Sequence, residues 1–188
     1  MTWKPCPVIP VTAASSIAVA YQQLWNHSSD VTRERMKALL PEVAGTDNIP
    51  SRKLAYFWAD RTVREIAPFV LDTAGLTREA EKLRDLDPVV SHDTAKAATQ
   101  AAKEVEWAIT PPWPVTPESV TATKIVSTVA LKASWTASKA AMAHGSKGAQ
   151  YAREAAEAAV WTVVWAKSED VNTLFITTIR EASHLSPS

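Results

Sequence analysis

The amino-acid sequence predicts an all-α fold, and its composition and its apolar pattern both support that prediction. Alanine is abundant and glycine occurs only four times, which suits helices and suits strands poorly. Two alanine-dense segments within residues 116–167, broken at Gly145 to Gly148, predict a central helical hairpin, because small side chains let helix axes approach closely. At 188 residues the chain fits a single-domain bundle of seven or eight helices around that hairpin.

A proline-rich arm, residues 1–10, precedes one helical domain that we expect over residues 11–188. Three prolines in the arm remove backbone donors and restrict the preceding residues, so the arm should be extended. The single cysteine, Cys6, cannot form an intramolecular disulfide, which points to a reducing compartment. We therefore expect a cytoplasmic protein.

Four helices are predicted in the first half of the chain, each introduced by a hydroxyl or carboxylate side chain suited to capping. Pro68 should kink or end the third of them, because proline breaks the helical hydrogen-bond ladder. The predicted caps are Thr12, Asp30, Ser51 and Thr77, and the helices run to about Trp25, Pro41, Thr73 and Leu86.

The second half predicts four more helices, over about 91–109, 117–144, 149–167 and 168–185. Four prolines within residues 110–117 predict a surface connection before the second of these. Along 117–144 a narrow stripe of small residues is accompanied by a second apolar face, which indicates a helix with neighbours on two sides. The second face consists of Leu131, Trp135 and Met142.

The charge balance argues against nucleic acid and membrane partners. Lysine plus arginine number 20 and aspartate plus glutamate also number 20, so no net field would attract a phosphate backbone or an anionic lipid surface. No run of about 18 apolar residues is present to span a bilayer. We expect the partner to be another protein, or a second copy of the chain.

The sequence contains no glycine-rich phosphate loop, nucleophile elbow or cluster of zinc ligands. Glu181 and His184 have metal-like spacing, but di-metal bundles need two such pairs with further glutamates, and a second pair is missing. We therefore predict no metal, no cofactor and no catalytic residues, and we do not expect an enzyme.

Charged residues interrupt the predicted third helix beside Trp58. Asp60 and Arg64 are spaced to pair across one turn, and so are Arg61 and Glu65. Two interpretations follow from this spacing. If half-buried, the charges could shape a binding cleft; otherwise they form a solvated helix face.

Eight tryptophans exceed what a core of this size requires. Trp3 in the arm and Trp113 between prolines are candidate interface anchors, because tryptophan is enriched at binding hot spots. Alternatively, both rings cover the ends of the bundle. With the hairpin as scaffold, we expect function on the 51–73 helix and the Trp113 loop.

The order of these parts resembles the alanine-rich immunity proteins associated with bacterial polymorphic toxin systems. The resemblance lies in residues 52–61 (RKLAYFWADR), the alanine repeats between Ala95 and Ala166 and the closing amphipathic helix, about two thirds of the chain. It implies a non-catalytic protein that neutralises a toxin by binding it, with no inherited catalytic residues.

The sequence thus predicts a protein-binding domain, with Trp3, Trp113, Trp58, Asp60, Arg61 and Arg64 as the partner-binding residues. One alternative is a small helical enzyme or ligand-binding bundle with its site at the last four of these residues. Another is a structural or oligomeric component of a phage or bacterium.

Overall fold

The computed structural model describes residues 5–109 and 117–186, and within those ranges it contains helices and connecting turns but no strand. The predicted all-α bundle is confirmed. The helices are α1 (Ser15–His27), α2 (Asp30–Lys37), α3 (Leu40–Val43), α4 (Ser51–Arg61), α5 (Ala67–Thr73), α6 (Thr77–Arg84), α7 (His92–Ile109), α8 (Pro117–Ala141), α9 (Gly148–Ala166) and α10 (Glu169–Ser183).

Serine hydroxyls start several of these helices. Ser91 Oγ accepts a hydrogen bond from the Thr94 amide at 3.2 Å, and Ser29 Oγ accepts one from the Thr32 amide at 3.1 Å. Ser29 therefore takes the capping role predicted for its neighbour Asp30. Thr12 does not cap α1, because its hydroxyl accepts instead from the Gly45 amide at 3.0 Å and ties the arm to the turn after α3.

The predicted helix over residues 51–73 is continuous but changes its winding in the middle. A π-helical turn, Thr62–Ile66, joins α4 to α5. Pro68 lies in the first turn of α5, where it neither ends the helix nor opens a gap. A π-turn widens the helix locally, which accommodates a residue that cannot donate to the ladder.

The alanine-rich hairpin occupies the centre, as predicted. Helix α8 packs between α7 and α9, α9 packs in turn against α1, and α4 crosses both hairpin helices on their inner side. The hairpin turns three residues earlier than expected, since α8 ends at Ala141 rather than His144. Gly145, at the predicted break between the two helices, adopts a left-handed conformation with φ of 63°.

Small side chains make this close packing possible. The inner side of α8 carries four alanines with no exposed surface, Ala130, Ala133, Ala137 and Ala140. Helix α9 contributes a matching set of buried alanines, Ala152, Ala155, Ala156 and Ala159. Large side chains fill the space beside the hairpin, where the Trp58 ring stacks on Phe175 of α10 with 5.7 Å between ring centroids.

Replacing Ala137 with leucine should destabilise the protein by about 1–3 kcal/mol, because the added carbons have no space in a filled helix contact. The free energy of unfolding from urea denaturation measures the effect. Ala97→Leu on the exposed side of α7 is the matched control and should change stability by less than about 0.5 kcal/mol. Equal effects of the two substitutions would contradict tight packing around α8.

Candidate binding surfaces

The first candidate site is a cleft along α4, in the region where the sequence placed a possible binding cleft. Asp60 and Arg61 line a depression of about 340 Å³ between α4, the loop after α6 and the end of α10. Its other walls are largely apolar or aromatic. They consist of Lys53, Tyr56, Phe57, Pro88, Val89, Val90 and Leu185.

The charges of this α4 cleft are held by specific partners. Asp60 Oδ1 accepts hydrogen bonds from the Val89 amide at 2.9 Å and from Arg64 Nη1 at 3.1 Å. Val89 is buried, so this carboxylate pins the loop after α6 onto α4. The predicted pairing of Asp60 with Arg64 is confirmed, and the half-buried interpretation of these charges holds for both residues.

Arg61 connects α4 with the π-turn and with α10. It forms the predicted ion pair with Glu65 and a second pair with Glu181 of α10, where Nη2 and Oε2 are 3.0 Å apart. Its guanidinium also lies over the Phe57 ring, 5.5 Å from the centroid. Arg61 therefore stabilises the wall of the cleft while it remains partly exposed to a ligand.

Trp58 does not belong to the cleft. Its ring has no exposed surface, and its indole N–H is buried without a hydrogen-bond partner among the described residues. The predicted partner-binding role for Trp58 does not fit this position, because residues 58 and 60 point to different sides of the same helix. The two other predicted anchors, Trp3 and Trp113, lie outside the described residues.

The second candidate site is the outward side of α8, which we call the α8 face and define as Lys132, Trp135, Ser138, Lys139 and Met142. Trp135 is 48% exposed. Lys132 Nζ lies 4.0 Å from the centroid of its ring. A depression of about 290 Å³ lies on this face and is lined by all of its residues except Lys132, namely Trp135, Ser138, Lys139 and Met142.

The α8 face corrects one sequence prediction. Leu131, Trp135 and Met142 were expected to contact a neighbouring helix, yet Trp135 is exposed and the other two are only half-buried. Among the described residues, the helices that pack against α8 leave this side of it partly open to solvent. The second apolar face of α8 is therefore a partly exposed surface. Periodicity alone does not distinguish an apolar face that packs against a helix from one that is open to solvent.

The α8 face continues onto α9 and the turn between the two helices. Lys139 Nζ is 2.6 Å from Glu154 of α9 and 5.7 Å from the Tyr151 ring centroid. Seven residues, about two helical turns, separate Lys139 from Lys132 and Glu154 from Trp161. Since the two helices run antiparallel, Lys132 and the 36%-exposed Trp161 lie at the same level of the hairpin.

The surroundings shift the pKa values of two titratable groups on this surface. Burial lowers the pKa of Lys132, because the ammonium group loses water where it rests beside Trp135. Hydrogen bonds from Lys139 and Gln150 lower the pKa of Glu154, outweighing the opposite effect of burial. The face thus holds one partly dehydrated cation and one cation already paired.

The two residues with metal-like spacing, Glu181 and His184, contact different partners in the structure. Glu181 pairs with Arg61, while His184 Nε2 is 3.3 Å from Glu42 Oε2. Among the described residues no three histidine, cysteine or carboxylate side chains gather as metal ligands. Glu181 and His184 therefore help to attach α10 to α4 and α3.

The comparisons with known proteins leave the function to be inferred from these surfaces. The chain has no significant match to a protein-family model, a curated protein or a solved structure.

Replacing Asp60 with alanine should expose the Val89 amide to exchange with solvent. The substitution removes a charge-assisted hydrogen bond of roughly 1.5 kcal/mol, so amide exchange at Val89 should speed up about tenfold in hydrogen–deuterium exchange. Asp60→Asn keeps an acceptor oxygen and is the control. Unchanged exchange at Val89 in the alanine variant would show that Asp60 does not hold the loop.

The Lys139–Glu154 pair should make stability depend on pH. Because the folded-state pKa of Glu154 is lowered, its contribution is complete above the unfolded value of about 4.3 and is lost as the pH falls through the folded value. Glu154→Gln should therefore flatten the decline in stability between about pH 5 and pH 3.

Urea denaturation across that range measures the change. Glu157→Gln is the matched control, since this carboxylate is one turn away on α9 and 4.0 Å from Arg153. The expectation fails if the two variants lose stability in parallel with the unmodified protein.

Proposed function

We propose that the protein is a non-catalytic, cytoplasmic protein-binding domain, with neutralisation of a partner toxin, as in immunity proteins, as its most concrete form. The observation that carries the proposal is the α8 face. It presents Trp135 beside two lysines and a methionine, on a helix that packs against α7, α9 and α4. A rigid helix with an exposed aromatic side chain suits recognition of another protein.

Exposed tryptophan supports this proposal, because a ring left in solvent does not gain the large favourable free energy of burying its apolar surface. Trp107 is 68% exposed on α7, in addition to the two rings on the hairpin. Single exposed apolar residues are common on protein surfaces and need no explanation. Trp135 differs from them because it borders a depression and has a lysine ammonium over its ring.

The nature of the described helices favours a protein partner over a bilayer. None of them contains a stretch long and apolar enough to span a membrane. The equal numbers of acidic and basic residues also speak against general affinity for nucleic acid.

A second candidate function is the binding of a small molecule in the α4 cleft. The observation that favours it is the arrangement of Asp60 and Arg61 beside Tyr56 and Phe57 around one concave space. Polar groups in an otherwise apolar pocket are typical of ligand sites. The internal hydrogen bonds of both charged residues weigh against it, since they explain the same side chains as structural supports.

Affinity capture from a lysate of the source organism, followed by quantitative mass spectrometry, tests the proposed function. We expect one protein to be recovered in stoichiometric amount by the full chain. Trp135→Ala should lose most of that protein, while Trp107→Ala serves as the control for an exposed tryptophan on a different helix.

Two results would overturn the proposal. One is the absence of any stoichiometric protein. The other is recovery of a small molecule whose retention depends on Asp60 or Arg61, which would support the second candidate function instead.

A further inference from the structure

Charge is unevenly distributed along the chain although the total is balanced. Residues 119–153 contain five lysines and arginines and no aspartate or glutamate. Since the whole chain has 20 residues of each sign, the remainder is acidic by five charges. The segment 119–153, which includes most of α8 and the start of α9, is thus basic, while the rest of the chain taken together is acidic.

Three of those cations follow the exposed side of α8. Lys124, Lys132 and Lys139 are spaced eight and seven residues apart, which corresponds to steps of about 12 and 10 Å along the helix axis. Trp135 lies between the last two, and Met142 extends the apolar part beyond Lys139. The resulting surface has an apolar middle and a basic edge that repeats every two turns.

The hairpin turn extends this surface without adding a carboxylate. Met142 also lines a second depression of about 420 Å³, together with His144, Gly145, Ser146, Lys147 and Tyr151. Glu154 is the nearest acidic residue after Met142 in the chain, and its charge is already paired with Lys139. A partner approaching along α8 would therefore meet a predominantly positive surface.

We propose that the α8 face docks an acidic amphipathic helix of a partner protein. Apolar residues of that helix would cover Trp135 and Met142, and its carboxylates, two turns apart, would pair with Lys124 and Lys132, since Lys139 is already paired with Glu154. This inference rests on the proposed function and names the chemistry of the partner. Helices pack against each other through such ridges, and complementary charge at the rim selects the partner.

The arrangement favours a helix over nucleic acid. The cations stand singly at two-turn intervals around an apolar strip, whereas a polyanion is bound by a broader basic field. Glu154 and Glu157 of α9 border the strip and would repel a phosphate backbone. A helix can place its carboxylates on the lysine side and present neutral residues towards α9.

Defined synthetic probes test the inference with the full-length protein. The first is a fluorescein-labelled helical peptide of about 20 residues, roughly 30 Å long, with leucines on one side, glutamates along one border of that side and neutral residues along the other. The second has glutamine in place of each glutamate, and the third is a thymidine oligonucleotide of similar length. Fluorescence anisotropy at low and high salt measures their affinities.

We expect the acidic peptide to bind, with affinity that falls as salt rises, and the glutamine peptide to bind at least about tenfold more weakly. Lys132→Glu and Trp135→Ala should each weaken the acidic peptide about tenfold. Lys82→Glu, which reverses an exposed charge on α6, is the matched control and should leave the affinity unchanged. Circular dichroism checks that each variant remains folded.

Several results would overturn the inference: equal binding of the acidic and glutamine peptides, tighter binding of the oligonucleotide, no binding of the acidic peptide, or an equal loss in the Lys82 variant. A dimer in light scattering that Lys132→Glu dissociates would assign the face to a second copy of the chain.

Failure here is distinguishable from failure of the proposed function. If Lys132→Glu and Trp135→Ala still capture the stoichiometric protein from lysate, the protein-binding function stands and this face is excluded. If neither the variants nor the unmodified protein captures a stoichiometric protein, the proposed function itself fails.

Discussion

Close packing of α8 between its neighbours is the constraint on which the rest of the fold depends. The alanines on its inner side let α7, α9 and α4 approach together, because interaxial distance is set by the side chains at the contact. Alanine buries little apolar area, however, so much of the hydrophobic stabilisation must come from larger residues elsewhere. Trp58 and Phe175 provide it beside the hairpin, where α4 and α10 meet.

Among the described residues, this packing leaves one side of α8 partly uncovered, which gives the helix two roles. Its inner surface holds the bundle together through close alanine contacts. Bulky side chains do not fit in those contacts and therefore stand on the outward side of the helix. Trp135 is therefore exposed and Met142 half-buried for a steric reason, and their rigid support suits recognition. The hairpin, expected to be scaffold alone, also carries the surface on which the proposed function depends.

The α4 cleft shows a different use of charge. Asp60 accepts a hydrogen bond from the loop after α6 and Arg61 forms an ion pair with α10, so these side chains connect separate parts of the chain and also line a concave surface. Partly exposed pairs of this kind contribute modestly to stability, but they fix the position of the elements that they join. The π-turn that follows α4 keeps one helix continuous from this cleft to α5, despite Pro68.

The all-α class, the central hairpin, most helix boundaries and both charge pairs on α4 followed from the sequence, because they depend on composition and on contacts within a few residues. The burial of Trp58 and the exposure of Trp135 did not, since both rings stand on helices with apolar residues on more than one side. Which side of such a helix meets solvent depends on where distant segments pack. Only the tertiary structure decided that α7, α9 and α4 would pack around α8, and so left an aromatic and basic strip that the other described residues do not cover.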